Sequence, residues 1–285
     1  MAGRAALKRS VIGDMQSTSA PAGAEASTPL IRLARASKRY SNGTVALRDM
    51  SLDVRRGEFV SLLGPSGCGK STALRMMAGL LEPSAGAIEW PADEKRASEH
   101  TRDVSFVFQE PTLMPWATVF DNVHLPLRIA GVSRARADAD VRAALALVGL
   151  SRFADVYPRE LSGGMKMRAS IARAMVTRPR LLLMDEPFAA LDEMTRAKLN
   201  DDVLRLWREL GLTVVFVTHN VWEAVYLSTR VVVMAARPGR VVEDIAIDGP
   251  QPRLESFRTS PAYAQVCVRV SESLKHTLSD VGADH

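Results

Sequence analysis

The sequence predicts an α/β fold with a mostly parallel sheet, and three observations predict it. Short apolar runs at 59–63, 104–108, 181–184, 214–217 and 231–234 recur along the chain, as expected of strands covered on both faces. Helical stretches such as 195–210, amphipathic in pattern, separate several of them, and strands that alternate with helices imply crossovers wrapped on both sides of one sheet. A glycine-rich loop follows the run at 59–63 and leads into a further helical stretch, 71–81.

Residues 1–29 are rich in Ala, Ser, Gly and Pro with little hydrophobic periodicity, which predicts a mobile extension. Leu30, Ile31 and Leu33, then Val45, Leu47, Leu52 and Val54, flank the turn signal Ser41-Asn42-Gly43 and predict an antiparallel β edge region. Residues 110–160 change character. They carry Pro111, Pro115 and Pro126, then an Ala/Arg/Leu helix from about 133 to 148, so an inserted helical subdomain is expected over about 110–180. The main domain is expected to span 30–249. The tail, 250–285, has one helical pattern from 262 to about 278 and no readable motif.

The 285 residues are 47% hydrophobic and 24% charged, a globular composition with ample material for a core. A net charge of +5 is compatible with an anionic ligand, an anionic membrane surface or nucleic acid, and does not choose among them. Cys68 and Cys267 form no CxxC or metal-ligand spacing, and a reducing compartment is the simpler reading. No run of 18 apolar residues occurs, and the start, MAGRAALKRSVIGDMQ, has positive charge without an apolar h-region. Neither a bilayer span nor a secretory signal is expected, so any membrane role is peripheral.

Gly64-Pro65-Ser66-Gly67-Cys68-Gly69-Lys70-Ser71-Thr72 fits G-x-x-x-x-G-K-[ST]. Chance would place roughly 0.01 such matches in a chain of this length at average residue usage. Its glycines let successive backbone N–H groups converge on one anion. Ser71 opens a helix whose first turn favours phosphate. Lys70 brings a mobile positive charge to the β- and γ-phosphates, and the Ser71 hydroxyl is a Mg²⁺ ligand. With a strand before and a helix after, the motif predicts a P-loop NTPase (RecA-like) core that binds ATP.

Asp185 and Glu186 leave the apolar run at 181–184. Ligands in open α/β sheets sit at the carboxyl ends of strands. Asp185 is placed to hold Mg²⁺ through water, and Glu186 to orient or deprotonate an attacking water. Alone, two acids at a strand exit read equally well as solvated surface charge. The phosphate loop earlier in the chain gives them a shared purpose.

Leu161-Ser162-Gly163-Gly164-Met165 precedes a helical run at 166–176. Locally it reads as an N-cap turn, and physically also as a second anion site. The segment resembles the LSGGQ-type signature of ABC ATPases and lies where that family carries it, between the two nucleotide motifs. The resemblance covers about residues 30–245 and implies further roles. Ser162, Gly163 and Gly164 would close over a γ-phosphate held by a second copy. Tyr40 matches the aromatic that stacks on adenine, although an ordinary edge-strand aromatic would also stand there. Gln109 matches the loop glutamine that touches Mg²⁺ and the attacking water. Leu191-Asp192 matches the loop crossing the dimer interface; an N-cap for the next helix explains Asp192 as well, and both readings stand. His219 matches the switch histidine. Phe108-Gln109-Glu110-Pro111, Leu113-Met114-Pro115-Trp116, Asp185-Glu186-Pro187-Phe188 and Thr218-His219 followed by Glu223-Ala224-Val225 resemble the nitrate/sulfonate/taurine branch of bacterial importers. Lys166 after the signature, and Asn220 where Asp is usual after the histidine, depart from it.

That resemblance implies an ATP-hydrolysing subunit of an importer for a small solute of the nitrate, sulfonate, taurine or pyrimidine-precursor class. It would work as a nucleotide-sandwich dimer at the cytoplasmic face of the plasma membrane, with transmembrane permease subunits and, indirectly, a solute-binding protein. Leu113, Met114, Pro115, Trp116 and the stretch 123–129 are expected either to offer the permease an apolar groove or to pack inside the insert, about half of them doing the latter. Soluble ABC ATPases acting on nucleic acid or ribosomes are the alternative. They usually carry tandem cassettes, zinc modules or long coiled coils, and none is visible here, so no nucleic-acid partner is expected.

Overall fold

The computed structural model describes residues 28–91, 103–250, 253 and 255–282. All but Thr28 and Pro29 of the expected mobile extension therefore lies outside the described residues. The strands are β1 (Ile31–Arg39), β2 (Val45–Val54), β3 (Phe59–Leu63), β4 (Ala85–Glu89), β5 (Val104–Val107), β6 (Leu181–Asp185), β7 (Thr213–Thr218), β8 (Arg230–Ala235) and β9 (Arg240–Ala246). The helices are α1 (Lys70–Met77), α2 (Val119–Ile129), α3 (Arg134–Leu147), α4 (Gly163–Met175), α5 (Glu193–Leu210), α6 (Val221–Leu227), α7 (Glu255–Arg258) and α8 (Pro261–Gly282).

Six strands form the main sheet in the order β5-β6-β7-β3-β8-β9. All neighbours are parallel except β8 and β9. Strands β3, β6 and β7 are buried along their whole length, which is why their sequences read as unbroken apolar runs. Successive residues face opposite sides. Phe59, Met184 and Phe216 pack against helices of the insert and the C-terminal half, while Val60, Leu183 and Val217 pack toward α1 and the first strands. Phe59 sits edge-on to Trp207, with ring centroids 5.8 Å apart.

The antiparallel region is a separate three-stranded sheet, β2-β1-β4. It is tied to the main sheet by Gly239, whose N–H donates to Ala46 O (3.0 Å) and whose carbonyl accepts from Arg48 N (3.0 Å). The main sheet has its own antiparallel edge in β9, whose residues are mostly exposed or half-buried, so it carries no apolar run to betray it. Strand β4, Ala-Gly-Ala-Ile-Glu, is equally faint. A Cβ on its Gly86 would lie 2.2 Å from Arg35 O, so only glycine permits this approach to β1.

Helix α1 ends at Met77, short of the 71–81 that periodicity predicts. Gly79 takes φ 68°, its N–H donates to Met76 O (3.0 Å) and Leu80 N–H donates to Arg75 O (2.9 Å). This Schellman closure satisfies the last carbonyls and stops the helix. Between β5 and β6 run α2, α3 and α4, with Pro126 inside α2; that proline masks the helical pattern. The tail folds back through α8, where the Tyr263 hydroxyl donates to Trp222 O of α6 (2.6 Å).

Candidate functional site

Strands β3, β6 and β7 are adjacent and parallel, so the residues leaving their carboxyl ends meet in one place. From β3 come Gly64 to Gly69 and then α1. Gly67 and Gly69 have φ of 78° and 87°, the left-handed region that glycine enters freely. A Cβ on Gly69 would lie 2.7 Å from Ala46 O and from Leu47 Cδ2. Lys70 is 4% exposed, with Nζ donating to Gly64 O (2.8 Å) and Pro65 O (3.0 Å), so the ammonium is held inside the curl of its own loop. Cys68 Sγ lies 3.8 Å from it, and burial pushes that thiol's pKa up. Tyr40, just past β1, shares a hydrogen bond with the Thr72 hydroxyl (3.3 Å).

Strand β6 delivers the acids. Ser71 Oγ donates to Asp185 Oδ1 (2.7 Å). Asp185 is buried, and burial raises its pKa, against the Ser71 hydrogen bond and the charge of Arg75. Glu186 has φ 44°, a left-handed conformation that costs a non-glycine residue about 1–2 kcal/mol. Its N–H is held by Val217 O of β7 (3.1 Å). Its carboxylate faces two groups: Oε1 lies 3.9 Å from Lys70 Nζ and Oε2 3.0 Å from His219 Nδ1. Gln109 is exposed two residues beyond β5, whose Val107 pairs with Met184 of β6; its strand exit is thus next to that of Asp185.

The donor set fits ATP and Mg²⁺. The loop is a cradle closed to side chains at Gly69, with an ammonium inside it. The Ser71 hydroxyl and Asp185 carboxylate are a pair of hard oxygen donors. Among the described residues no group of three or more His, Cys, Asp or Glu is placed to hold a metal ion.

Strand β7 ends in Thr218, followed by His219 and Asn220. Asn220 Oδ1 accepts from Glu223 N (3.1 Å) and caps α6. An Asp oxygen caps equally well, so the departure at 220 retains this hydrogen bond. Lys166 is half-buried on α4. Ser162 and Asp192 cap their own helices: Ser162 Oγ accepts from Met165 N (3.3 Å) and Asp192 Oδ1 from Thr195 N (2.9 Å), the latter holding the Asp192 carboxyl below its usual pKa. The two turns touch. A Cβ on Gly163 would lie 3.4 Å from Leu191 Cδ2, and one on Gly164 2.6 Å from Thr195 Cγ2. Ser162, Gly163 and Asp192 are exposed, so the signature turn and the Leu191-Asp192 loop form one accessible surface.

The sequence profile described as ABC transporter matches residues 47–189. The taurine import ATP-binding protein TauB of Rhizobium johnstonii is 41% identical over 248 residues, covering 85% of this chain and 94% of the relative. The aliphatic sulfonates import ATP-binding protein SsuB 1 of the same organism is 44% identical over 235 residues, covering 82% and 83%. The chain belongs to the ABC transporter ATPase family. A solved dimeric ATP-binding cassette in a post-hydrolysis state, bound to ADP and Pi, superposes on this ABC ATPase with a TM-score of 0.67 at 33% identity, covering 77% of this chain and all of the other. The protein is therefore an ATP-binding ATPase of a family whose cassettes pair, with the P-loop NTPase fold the sequence predicts. Among the described residues no helix is long and apolar enough to cross a membrane.

Several supporting residues of this ABC ATPase escape the sequence reading. Asn122 on α2 clamps the loop before it, accepting from Met114 N (2.7 Å) and donating Nδ2 to Thr118 O (2.9 Å). Arg173 on α4 donates to Pro111 O (2.9 Å) and Thr112 O (2.8 Å). Arg196 lines the same pocket as His219, together with Thr218 and Glu223, two residues that stand in the run resembling the importer branch but to which the sequence assigned no role. Of the residues expected to form an apolar groove or to pack inside the insert, Val123 of α2 is fully buried and Leu113 packs on the core. Trp116 and Ile129 are large apolar side chains exposed there, at 76% and 78%.

Proposed function

We propose that this ABC ATPase powers an importer for a small solute of the taurine, sulfonate or nitrate kind, working as a pair of cassettes at the cytoplasmic face of the plasma membrane. The observation that carries the reading is Glu186, held between Lys70 Nζ at 3.9 Å and His219 Nδ1 at 3.0 Å, beside the Ser71–Asp185 pair. Relatives named for taurine and sulfonate import support the solute class.

In this reading residues 64–72 wrap the phosphates, Lys70 neutralises their charge and Tyr40 stacks on the base. Ser71 and Asp185, with Gln109, hold Mg²⁺, which offsets the negative charge that develops at the transferring phosphoryl group. Glu186 orients the attacking water and takes its proton. His219 keeps the Glu186 carboxylate aimed. Ser162, Gly163, Gly164 and Asp192 of the second copy complete the site, so two chains close only around nucleotide. That differential affinity shifts the attached permease between states. The nucleotide-binding unit spans 30–249, with the insert at about 110–180 facing the permease and 250–285 as a tail; a solute-binding protein acts through the permease.

Phosphate release by the purified chain tests the catalytic part. Turnover that needs both ATP and Mg²⁺ is expected, and a chain that binds ATP without releasing phosphate overturns it. Uptake of labelled taurine, sulfonate or nitrate by vesicles carrying the chain with its co-purifying permease tests the solute class; no ATP-driven uptake of any of the three removes it.

A further inference from the structure

Behind His219 lies a hydrogen-bond circuit that the roles above leave unused. Asn220 N donates to Thr218 Oγ1 (3.0 Å). An amide N–H can only donate, so the Thr218 hydroxyl accepts there and sends its own proton to Glu223 Oε2 (2.6 Å). Glu223 N closes the circuit on Asn220 Oδ1 (3.1 Å). His219 is the residue between the two that this circuit fixes.

Glu223 is 8% exposed. Burial pushes its pKa up, opposed by the Thr218 hydroxyl, the Arg196 charge, Asn200 and His219. Holding a carboxyl there is unfavourable unless its hydrogen bonds compensate, yet among the described residues Oε1 is buried without a hydrogen-bond partner, as are Arg196 Nε and Asn200 Oδ1. Capping α6 does not require this carboxyl, since Asn220 caps it. Arg196 and Glu223 line the same small pocket as Glu186 and His219. Arg196 also donates Nη2 to Leu191 O (3.0 Å), in the loop expected to cross the dimer interface.

We propose that Glu223 is a positioning residue for ATP hydrolysis: through the Thr218 hydroxyl it fixes the backbone at 218–220 and so aims the His219 imidazole at Glu186. The inference rests on the proposed role of His219. Arg196 faces the carboxylate across the pocket while gripping Leu191, so the same pocket joins the Leu191-Asp192 loop to the histidine.

A purely structural acid would affect stability alone, and steady-state kinetics separates the two roles. With Glu223→Ala, kcat for ATP should fall about ten- to a hundredfold, the scale of a misplaced catalytic group. KM for MgATP should stay within about twofold, because the Lys70 loop is untouched. Glu223→Gln should recover most of the loss, since its amide oxygen accepts from Thr218. Thr218→Val should reproduce the Ala loss. In a His219→Ala background, Glu223→Ala or Thr218→Val should change the residual rate by less than about twofold, because both act through the histidine. An equal fold loss with and without His219, or a raised KM at unchanged kcat, overturns the proposal. If Glu223→Ala does not fold, Thr218→Val in both backgrounds decides alone. If His219→Ala leaves kcat intact, the site reading itself falls. If it lowers kcat while neither Glu223→Ala nor Thr218→Val does, only this inference falls.

Discussion

His219 Nδ1 lies 3.0 Å from Glu186 Oε2, and the other oxygen of that carboxylate lies 3.9 Å from Lys70 Nζ. Three strand exits of the main sheet thus each contribute one member of a single line of contacts. Glu186 is the middle member, held at φ 44°, so its orientation is set by both neighbours.

Glu186→Gln keeps the size and the hydrogen bond to His219 but removes the proton acceptor. Turnover should fall by about 10²–10⁴, the usual worth of a general base, while ATP still binds and paired chains accumulate. Phosphate release and sedimentation with ATP check this; a monomer under saturating ATP contradicts the pairing.

Lys70→Ala removes the ammonium that Gly64 O and Pro65 O now hold. MgATP affinity should drop at least about thirtyfold, equivalent to ~2 kcal/mol for a charge-assisted hydrogen bond. Calorimetric titration measures it, and wild-type affinity in the variant rules out the loop as the phosphate site.

Asp185→Asn should make the nucleotide-free protein more stable and the enzyme inactive. The folded carboxyl has a pKa above its ordinary 3.8 because it is buried. Below 3.8 both folded and unfolded chains hold the proton and no penalty exists. As pH rises through that value the unfolded chain ionises first, stability declines, and the penalty is complete above the folded pKa. At neutral pH the variant should melt above wild type and gain little further from MgATP. A variant that melts lower without nucleotide argues against the buried-charge account.

Gly164→Ala places a methyl 2.6 Å from Thr195 Cγ2, a spacing real side chains do not tolerate. It should push the signature turn off the start of α5 and cut turnover more than about tenfold, with ATP affinity of the single chain unchanged. Adding Thr195→Ser removes Cγ2 and should restore activity. Failure of the double variant to recover would trace the defect elsewhere.

The strands that carry the site were legible because β3, β6 and β7 are buried on both faces, and burial on both faces leaves continuous apolar runs. The proposed phosphate loop was legible because backbone curvature and anion binding restrict residues at fixed spacing. Strands β4 and β9 were not, since a half-exposed edge tolerates polar and small residues. Helix α2 was hidden by Pro126, and the end of α1 was misplaced because Gly79 closes it through a tertiary-independent cap that periodicity ignores.

By itself the sequence marked the residues proposed to bind a nucleotide and the order in which strands and helices follow, since local spacing and hydrophobic period are properties of the chain. Tertiary structure alone decided that Glu186 faces both Lys70 and His219, that Ser71 meets Asp185 across 114 positions, and that Glu223 turns inward beneath the histidine. Those distances depend on strand order in the sheet and on which helix face is buried, and neither is encoded within any one segment.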